Sequence, residues 1–172
     1  MNIQKTTLGG GCFWCLEAVF LRVPGVVRVV SGYAGGHTNN PTYKEICTGN
    51  SGHAEVVEVE FNTQVIDYSG ILKIFWLCHD PTTLNRQGND VGTQYRSVLF
   101  THDPEQEKIA IQSREEAQKN FTDPIVTQIA PIPTFFPAED YHQNYFALNP
   151  GNPYCRFVIV PKVQKLEKHL LN

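Results

Sequence analysis

Apolar residues recur along the chain in short runs whose spacing switches between the alternation of a strand and the three-to-four-residue repeat of a helix, and those switches mark the elements. Thr6 to Leu8 closes a first strand, and Gly9-Gly10-Gly11 follows as a flexible turn. From about Cys12 to Arg22 the apolar density predicts a helix that stops before Pro24-Gly25. Val26 to Ser31 is β-branched and reads as a strand. Gly32 to Gly52, rich in Gly, Asn, Thr and Pro, reads mostly as loop. Ala54 to Phe61 alternates like a half-buried strand, with Glu55, Val57, Val59 and Phe61 on one face and Val56, Glu58 and Glu60 on the other. Glu55 is therefore a carboxylate on the apolar face, out of step with Glu58 and Glu60.

Ile71 to His79 fits a helix with Ile71, Ile74, Phe75 and Cys78 along one stripe. A polar loop from Asp80 to Gly92 and a strand from Tyr95 to Thr101 come next. Asp103 is placed to cap a helix that has Pro104 in its first turn and runs to about Asn120. Ile125 to Ile129 reads as a strand and Pro131 to Pro137 as irregular chain or an edge strand. Ala138 to Phe146 reads as a short helix, Arg156 to Val160 as a last strand and Val163 to Leu171 as a terminal helix. Strands and helices without strict βαβ alternation predict an α+β fold, two layers with a mixed central sheet and a loop-rich C-terminal segment. The length of 172 residues suits a single domain spanning 1–172 with a sizeable core.

Charge and composition narrow the function classes. The net charge of −3 comes with no basic patch interleaved with aromatics, which argues against a nucleic-acid partner. No apolar run is long enough to cross a bilayer. Met1 to Leu8 is polar and lacks the apolar core of a signal peptide, so a cytoplasmic protein is expected. The five cysteines, Cys12, Cys15, Cys47, Cys78 and Cys155, are an odd number, which argues against a structural disulfide framework and leaves thiols free to react.

The strongest local signal is Gly9-Gly10-Gly11-Cys12-Phe13-Trp14-Cys15. Glycines ahead of a helix leave its first N–H groups open, and those groups with the helix dipole favour a thiolate at Cys12. Phe13 and Trp14 read either as ordinary core or as an apolar wall beside that sulfur. Cys12 and Cys15 form Cys-x-x-Cys, a redox signature and also half of a zinc signature. No second such pair and no matching His pair follows, so no metal is expected, and the turn lacks the Gly-Lys-Ser/Thr ending of a phosphate loop.

Further blocks extend this motif: Ser31-Gly32-Tyr33-Ala34-Gly35-Gly36, Asn40-Pro41-Thr42-Tyr43, Gly52-His53-Ala54-Glu55-Val56, His79-Asp80-Pro81-Thr82, the run from Arg86 to Ser97, Ala138-Glu139-Asp140-Tyr141-His142-Gln143 and Asn152-Pro153-Tyr154-Cys155. With them the chain resembles the peptide-methionine (S)-S-oxide reductases, the A-type methionine sulfoxide reductases, over almost its whole length. The resemblance implies an α/β plait that reduces the S epimer of methionine sulfoxide, free or in proteins, as protein repair under oxidative stress. It implies Cys12 as catalytic cysteine, Phe13 and Trp14 as the wall for the substrate methyl, Glu55 as the acid, and Tyr43 and Tyr95 as phenols on the sulfoxide oxygen. Asp90 and His142 match polar residues lining the substrate site. Cys12 would become a sulfenic acid and condense with a second thiol, and thioredoxin would reduce the disulfide, with no cofactor.

Cys155 is favoured as the resolving thiol because Asn149 to Tyr154 reads as an extended segment able to swing. Cys15 is the alternative, at a position where many family members carry Gly. Cys78 reads as inert core. Two rival functions stay open on the residues alone: a thioredoxin-like disulfide oxidoreductase using Cys12 and Cys15, and a non-catalytic thiol or zinc binding module.

Overall fold

The computed structural model describes residues 2–171; Met1, the sole methionine, and Asn172 lie outside them. The strands are β1 (Ile3–Gly9), β2 (Val26–Ala34), β3 (Ala54–Asn62), β4 (Arg86–Gln87), β5 (Asp90–Val91), β6 (Val98–Thr101), β7 (Gln128–Pro131) and β8 (Phe136–Pro137). The helices are α1 (Phe13–Phe20), α2 (Tyr43–Cys47), α3 (Tyr68–Cys78), α4 (Pro104–Gln118), α5 (Tyr145–Leu148) and α6 (Val160–Leu170). Six strands form one sheet in the order β7-β6-β1-β3-β2-β8, antiparallel except for the parallel pair β6–β7, while β4 and β5 make a separate hairpin. The fold is thus a mixed sheet flanked by helices.

Period-two alternation on β3 sorts its side chains between two cores. Val57, Val59 and Phe61 are fully buried with the apolar residues of α1, α3 and α6. Ala54 and Val56 point the other way, into a smaller cluster with Ala34, Val98 and Phe100 that Ile132 and Phe135 of the Pro-rich segment cover. Glu58 and Glu60 stay partly exposed and pair with Lys5 of β1 at 3.6 and 3.5 Å, a contact of at most about 1 kcal/mol per pair in water. The stripe Ile71, Ile74, Phe75 and Cys78 is buried on α3. Asp103 caps α4 by accepting the Gln106 N–H at 2.7 Å, with Pro104 following it.

Several boundaries differ from the pattern reading. The expected loop from Gly32 to Gly52 holds the end of β2 and the short α2. Its start is fixed by a reciprocal cap: Thr42 Oγ1 accepts the Glu45 N–H at 3.2 Å, and the Glu45 carboxylate accepts the Thr42 N–H at 3.4 Å. Residues 93–95 form a 3₁₀ turn rather than the start of a strand. The expected strand at Ile125 begins only at Gln128, because the Val126 N–H is taken by the Pro81 carbonyl at 2.8 Å.

The largest correction is at Arg156 to Val160, which is not a strand. Cys155–Ile159 is a π-helical turn running directly into α6. Cys155, Ile159, Val163 and Leu166 are all buried and recur at helical spacing, and that stripe overrides the local β-branched composition. Pro161 has no N–H to give the Phe157 carbonyl, and the wide turn precedes it. Among the described residues no helix is long and apolar enough to cross a membrane.

Candidate active site

The turn between β1 and α1 sets the position of Cys12. Gly11 has φ +89°, in the left-handed region, and an added Cβ would lie 2.8 Å from the Gln87 side chain, so glycine is required there. Its N–H donates to the Tyr95 carbonyl at 3.2 Å, which ties the turn to the 3₁₀ segment. Gly9 lets β1 approach β3: a Cβ there would sit 2.9 Å from the Glu55 carbonyl. Cys12 is then the extended residue that starts α1, with φ −67° and ψ 132°, and is 8% exposed.

Glu55 enters at the start of β3, paired with Tyr33 of β2 in the strand register. It is 1% exposed. One oxygen accepts the Phe13 N–H at 3.1 Å, and the other is buried with no partner. Burial pushes its pKa up to about 8, against the opposing pull of the Phe13 N–H, with the charge of Asp90 adding to the rise. The carboxyl is therefore mostly neutral near pH 7 and able to donate. Burial, then the charge of Glu55, also pushes the Cys12 thiol well up, although the Trp14 N–H pulls it down. The helix-start N–H groups thus favour the thiolate as expected but do not outweigh desolvation, and the resting sulfur is a thiol.

Aromatic rings surround this pair. Phe13 is fully buried, with ring centroids 5.6 Å from Tyr33, 6.5 Å from Tyr43 and 5.1 Å from His142. Half-buried Trp14 stacks on Tyr145 at 3.7 Å and 5°, and its indole N–H donates to His142 Nδ1 at 3.0 Å. Tyr43 opens α2 and packs on His142 at 4.3 Å. The phenols of Tyr43 and Tyr95 are both pushed up by burial and then by the charge of Glu55, so both remain donors. Asp90, on the β4–β5 hairpin, accepts the Tyr154 hydroxyl at 2.6 Å, and its charge reaches Cys12, Glu55 and Tyr95. His142 has one ring nitrogen buried without a partner.

A buried thiol beside a neutral carboxyl, phenolic donors and an aromatic wall can reduce a polarised S–O bond. Residues 4–172 match the family model of peptide methionine sulfoxide reductase. The chain belongs to this family. It is 58% identical over 166 residues to the peptide methionine sulfoxide reductase MsrA of Leptospira borgpetersenii serovar Hardjo-bovis, which spans 96% of this chain and 94% of that one. Its fold is similar to the crystal structure of Mxr1 from Saccharomyces cerevisiae in reduced form, with TM-score 0.85, 38% identity and 90% of each chain covered. It is also similar to Mxr1 in complex with Trx2, with TM-score 0.61, 28% identity, and 84% of this chain and 85% of that one covered. As a methionine sulfoxide reductase of the A type, it reduces methionine S-sulfoxide through a redox-active cysteine.

All five cysteines of this reductase are free thiols. Cys155 is fully buried in the π-helical turn. The segment before it is not a free extended strand: Asn152 donates to the Tyr145 hydroxyl at 3.1 Å, and its carbonyl and side-chain oxygen accept the Arg156 and Tyr154 N–H groups at 3.1 and 2.8 Å. Cys15 is 1% exposed, with its sulfur 3.7 Å from the Tyr154 hydroxyl. Because that hydroxyl donates to Asp90, the Cys15 S–H is the donor to its oxygen. Cys47 ends α2 at the surface, and Cys78 is core, its thiol pushed up to about 12 by burial.

The pattern reading missed Glu139, Glu17, Tyr145 and Tyr154. Glu139 accepts the Tyr33 hydroxyl and the Tyr43 N–H, each at 2.9 Å, and so orients Tyr43. Glu17 carried the same signal as Glu55, a lone carboxylate among apolar neighbours, here within α1. His102 is half-buried and bonds Thr7 at 2.8 Å. His53 and His79 make local structural hydrogen bonds. A cavity of about 660 Å³, whose lining includes neither Cys12 nor Glu55, is bordered by Lys73, Trp76, Lys162, Lys165 and His169 among others. Cys78 and His79 line it too, the thiol pushed up by burial and the imidazole tied to the Phe75 carbonyl and the Ser97 hydroxyl. Among the described residues no three His, Cys, Asp or Glu side chains are grouped to hold a metal ion.

Proposed function

We propose that Cys12, Glu55, Tyr43 and Tyr95 carry out the reduction, with Phe13 and Trp14 holding the substrate methyl and Asp90 and His142 lining the same site. The observation that carries the assignment is the buried, unpartnered oxygen of Glu55 beside Cys12. A sulfoxide sulfur is a weak electrophile until its oxygen receives a proton. Neutral Glu55 supplies that proton, and Tyr43 and Tyr95 donate hydrogen bonds to the same oxygen.

The Cys12 sulfur bonds to the substrate sulfur as its own proton passes to the Glu55 carboxylate, replacing the proton that Glu55 gave to the oxygen. The oxygen is transferred, methionine departs, and Cys12 is left as a sulfenic acid: the substrate is reduced by two electrons and Cys12 oxidised by two. A second thiol condenses with it, forming a disulfide and water. We assign this step to Cys155, which requires the turn at residues 155–159 to unwind. One observation favours Cys15 as the competing candidate: it already lies on α1, within one turn of Cys12, with its thiol beside the Tyr154 hydroxyl.

An external dithiol then regenerates the enzyme. The similarity to Mxr1 in complex with Trx2 supports thioredoxin in this role. The substrates are methionine sulfoxides in oxidised proteins or free, with residues 1–172 acting as one domain in a cytoplasmic setting. The test is turnover of the S and R epimers of a methyl sulfoxide with dithiothreitol. Wild type consumes the S epimer and Cys12→Ser does not; equal activity in the variant overturns the proposal.

A further inference from the structure

We propose that Glu17 is a positioning residue for the substrate wall, holding from within α1 the loop that fixes the Trp14 indole. The inference rests on the reading of Trp14 as that wall.

Trp14 and Glu17 are three residues apart, so they leave α1 from neighbouring positions on one side. The Glu17 carboxylate is 2% exposed, in a helix whose other buried residues are all apolar. Burying such a group is unfavourable unless it is fully hydrogen-bonded. Both its oxygens are used: one accepts the Asn144 N–H at 2.9 Å, the other the Tyr145 N–H at 3.2 Å.

The loop so held is the one that orients Trp14. Tyr145 lies flat on the indole at 3.7 Å, fixing its plane, and His142 accepts the indole N–H at 3.0 Å, fixing its rotation in that plane. Between them, Asn144 takes φ +56°, a left-handed conformation that Asn adopts more readily than most residues, and the two Glu17 bonds hold the backbone N–H groups on either side of its Cα. Gln143 supplies a second tie through its bonds to the Ser31 N–H and carbonyl at 3.0 and 2.9 Å. One helix therefore carries both the wall and the anchor of its backing. An amide could not replace the carboxylate, since its NH₂ would face one of the two N–H donors.

The test uses Glu17→Gln in full-length protein, with Trp76→Phe as background so that Trp14 is the only tryptophan left of the two. The variant is expected to raise KM for a methyl sulfoxide about tenfold while kcat changes by less than about threefold. Trp14 emission is expected to shift to the red as water reaches the indole. A fall in kcat that tracks the folded fraction, with KM and emission unchanged, overturns the proposal. Should Glu17→Gln not fold, Asn144→Val distorts the same loop from its exposed side, and it must reproduce the KM rise and red shift or the proposal fails. If wild type reduces no sulfoxide, the reductase reading fails, and Trp14 emission alone decides on Glu17.

Discussion

Glu55 accepts the Phe13 N–H at 3.1 Å, so the proposed proton donor is bonded to the first residue of the helix that Cys12 begins. The bond leaves the second carboxyl oxygen bare and buried.

Glu55→Gln keeps the shape and an acceptor for the Phe13 N–H but removes the acidic proton. Catalytic efficiency at pH 7 is expected to drop by about 10²–10⁴-fold, the usual worth of a positioned general acid. In wild type the rate should decline as pH rises through about 8, where Glu55 ionises, and the variant should lack that limb. Steady-state rates between pH 6 and 9.5 on both proteins check this.

The same carboxyl makes stability depend on pH. Its folded pKa of about 8 lies above the ordinary value of 4.5, so the folded state holds the proton more tightly than the unfolded chain. Its contribution is complete below 4.5 and is lost as pH rises toward 8. Glu55→Gln is therefore expected to be more stable than wild type at pH 8, by on the order of a few kcal/mol, and nearly equal to it at pH 4.5. Urea unfolding at the two pH values measures the difference.

His79 should act in the opposite direction. Its ring is buried under Gly10, where an added Cβ would lie 2.8 Å away, with one N–H donating to the Phe75 carbonyl at 2.6 Å and the other nitrogen accepting from Ser97 at 2.8 Å. Burial lowers its pKa from 6.5 to about 4. The folded state thus resists protonation, and stability is expected to fall as pH drops from 6.5 toward 4. His79→Gln should flatten that slope in acid-unfolding curves while lowering stability at pH 7.

Tyr154→Phe removes the hydroxyl that joins Asp90 to Cys15. Loss of a hydrogen bond to a charged group is expected to lower stability by about 1.5–3 kcal/mol. The segment ahead of α6 should exchange its amide hydrogens faster, while Cys12 alkylation stays within about twofold of wild type. Exchange mass spectrometry resolves the two readouts.

Disulfide mapping after a single turnover separates the resolving thiols. A Cys12–Cys155 bond requires the turn at 155–159 to open and should be slowed by a cross-link that holds it closed. A Cys12–Cys15 bond should form at the same rate with or without that cross-link, and Cys155→Ser would then leave turnover with dithiothreitol intact.

The sequence by itself determined the alternating faces of β3, the stripe of α3, the cap of α4 and the odd register of Glu55, because each is a local period or a local hydrogen bond written in neighbouring residues. It also held the ordered motif blocks that carry the family resemblance. Only the tertiary structure decided that Arg156 to Val160 is helical, since the burial of Cys155, Ile159, Val163 and Leu166 on one side depends on a core built by distant segments. It likewise decided that Cys155 is buried in a helical turn rather than set on an extended segment, and that Glu17 reaches Asn144 and Tyr145 across 127 and 128 residues. Desolvation is a property of the assembled fold, so that Cys12 rests as a thiol could be read only once the chain had closed around it.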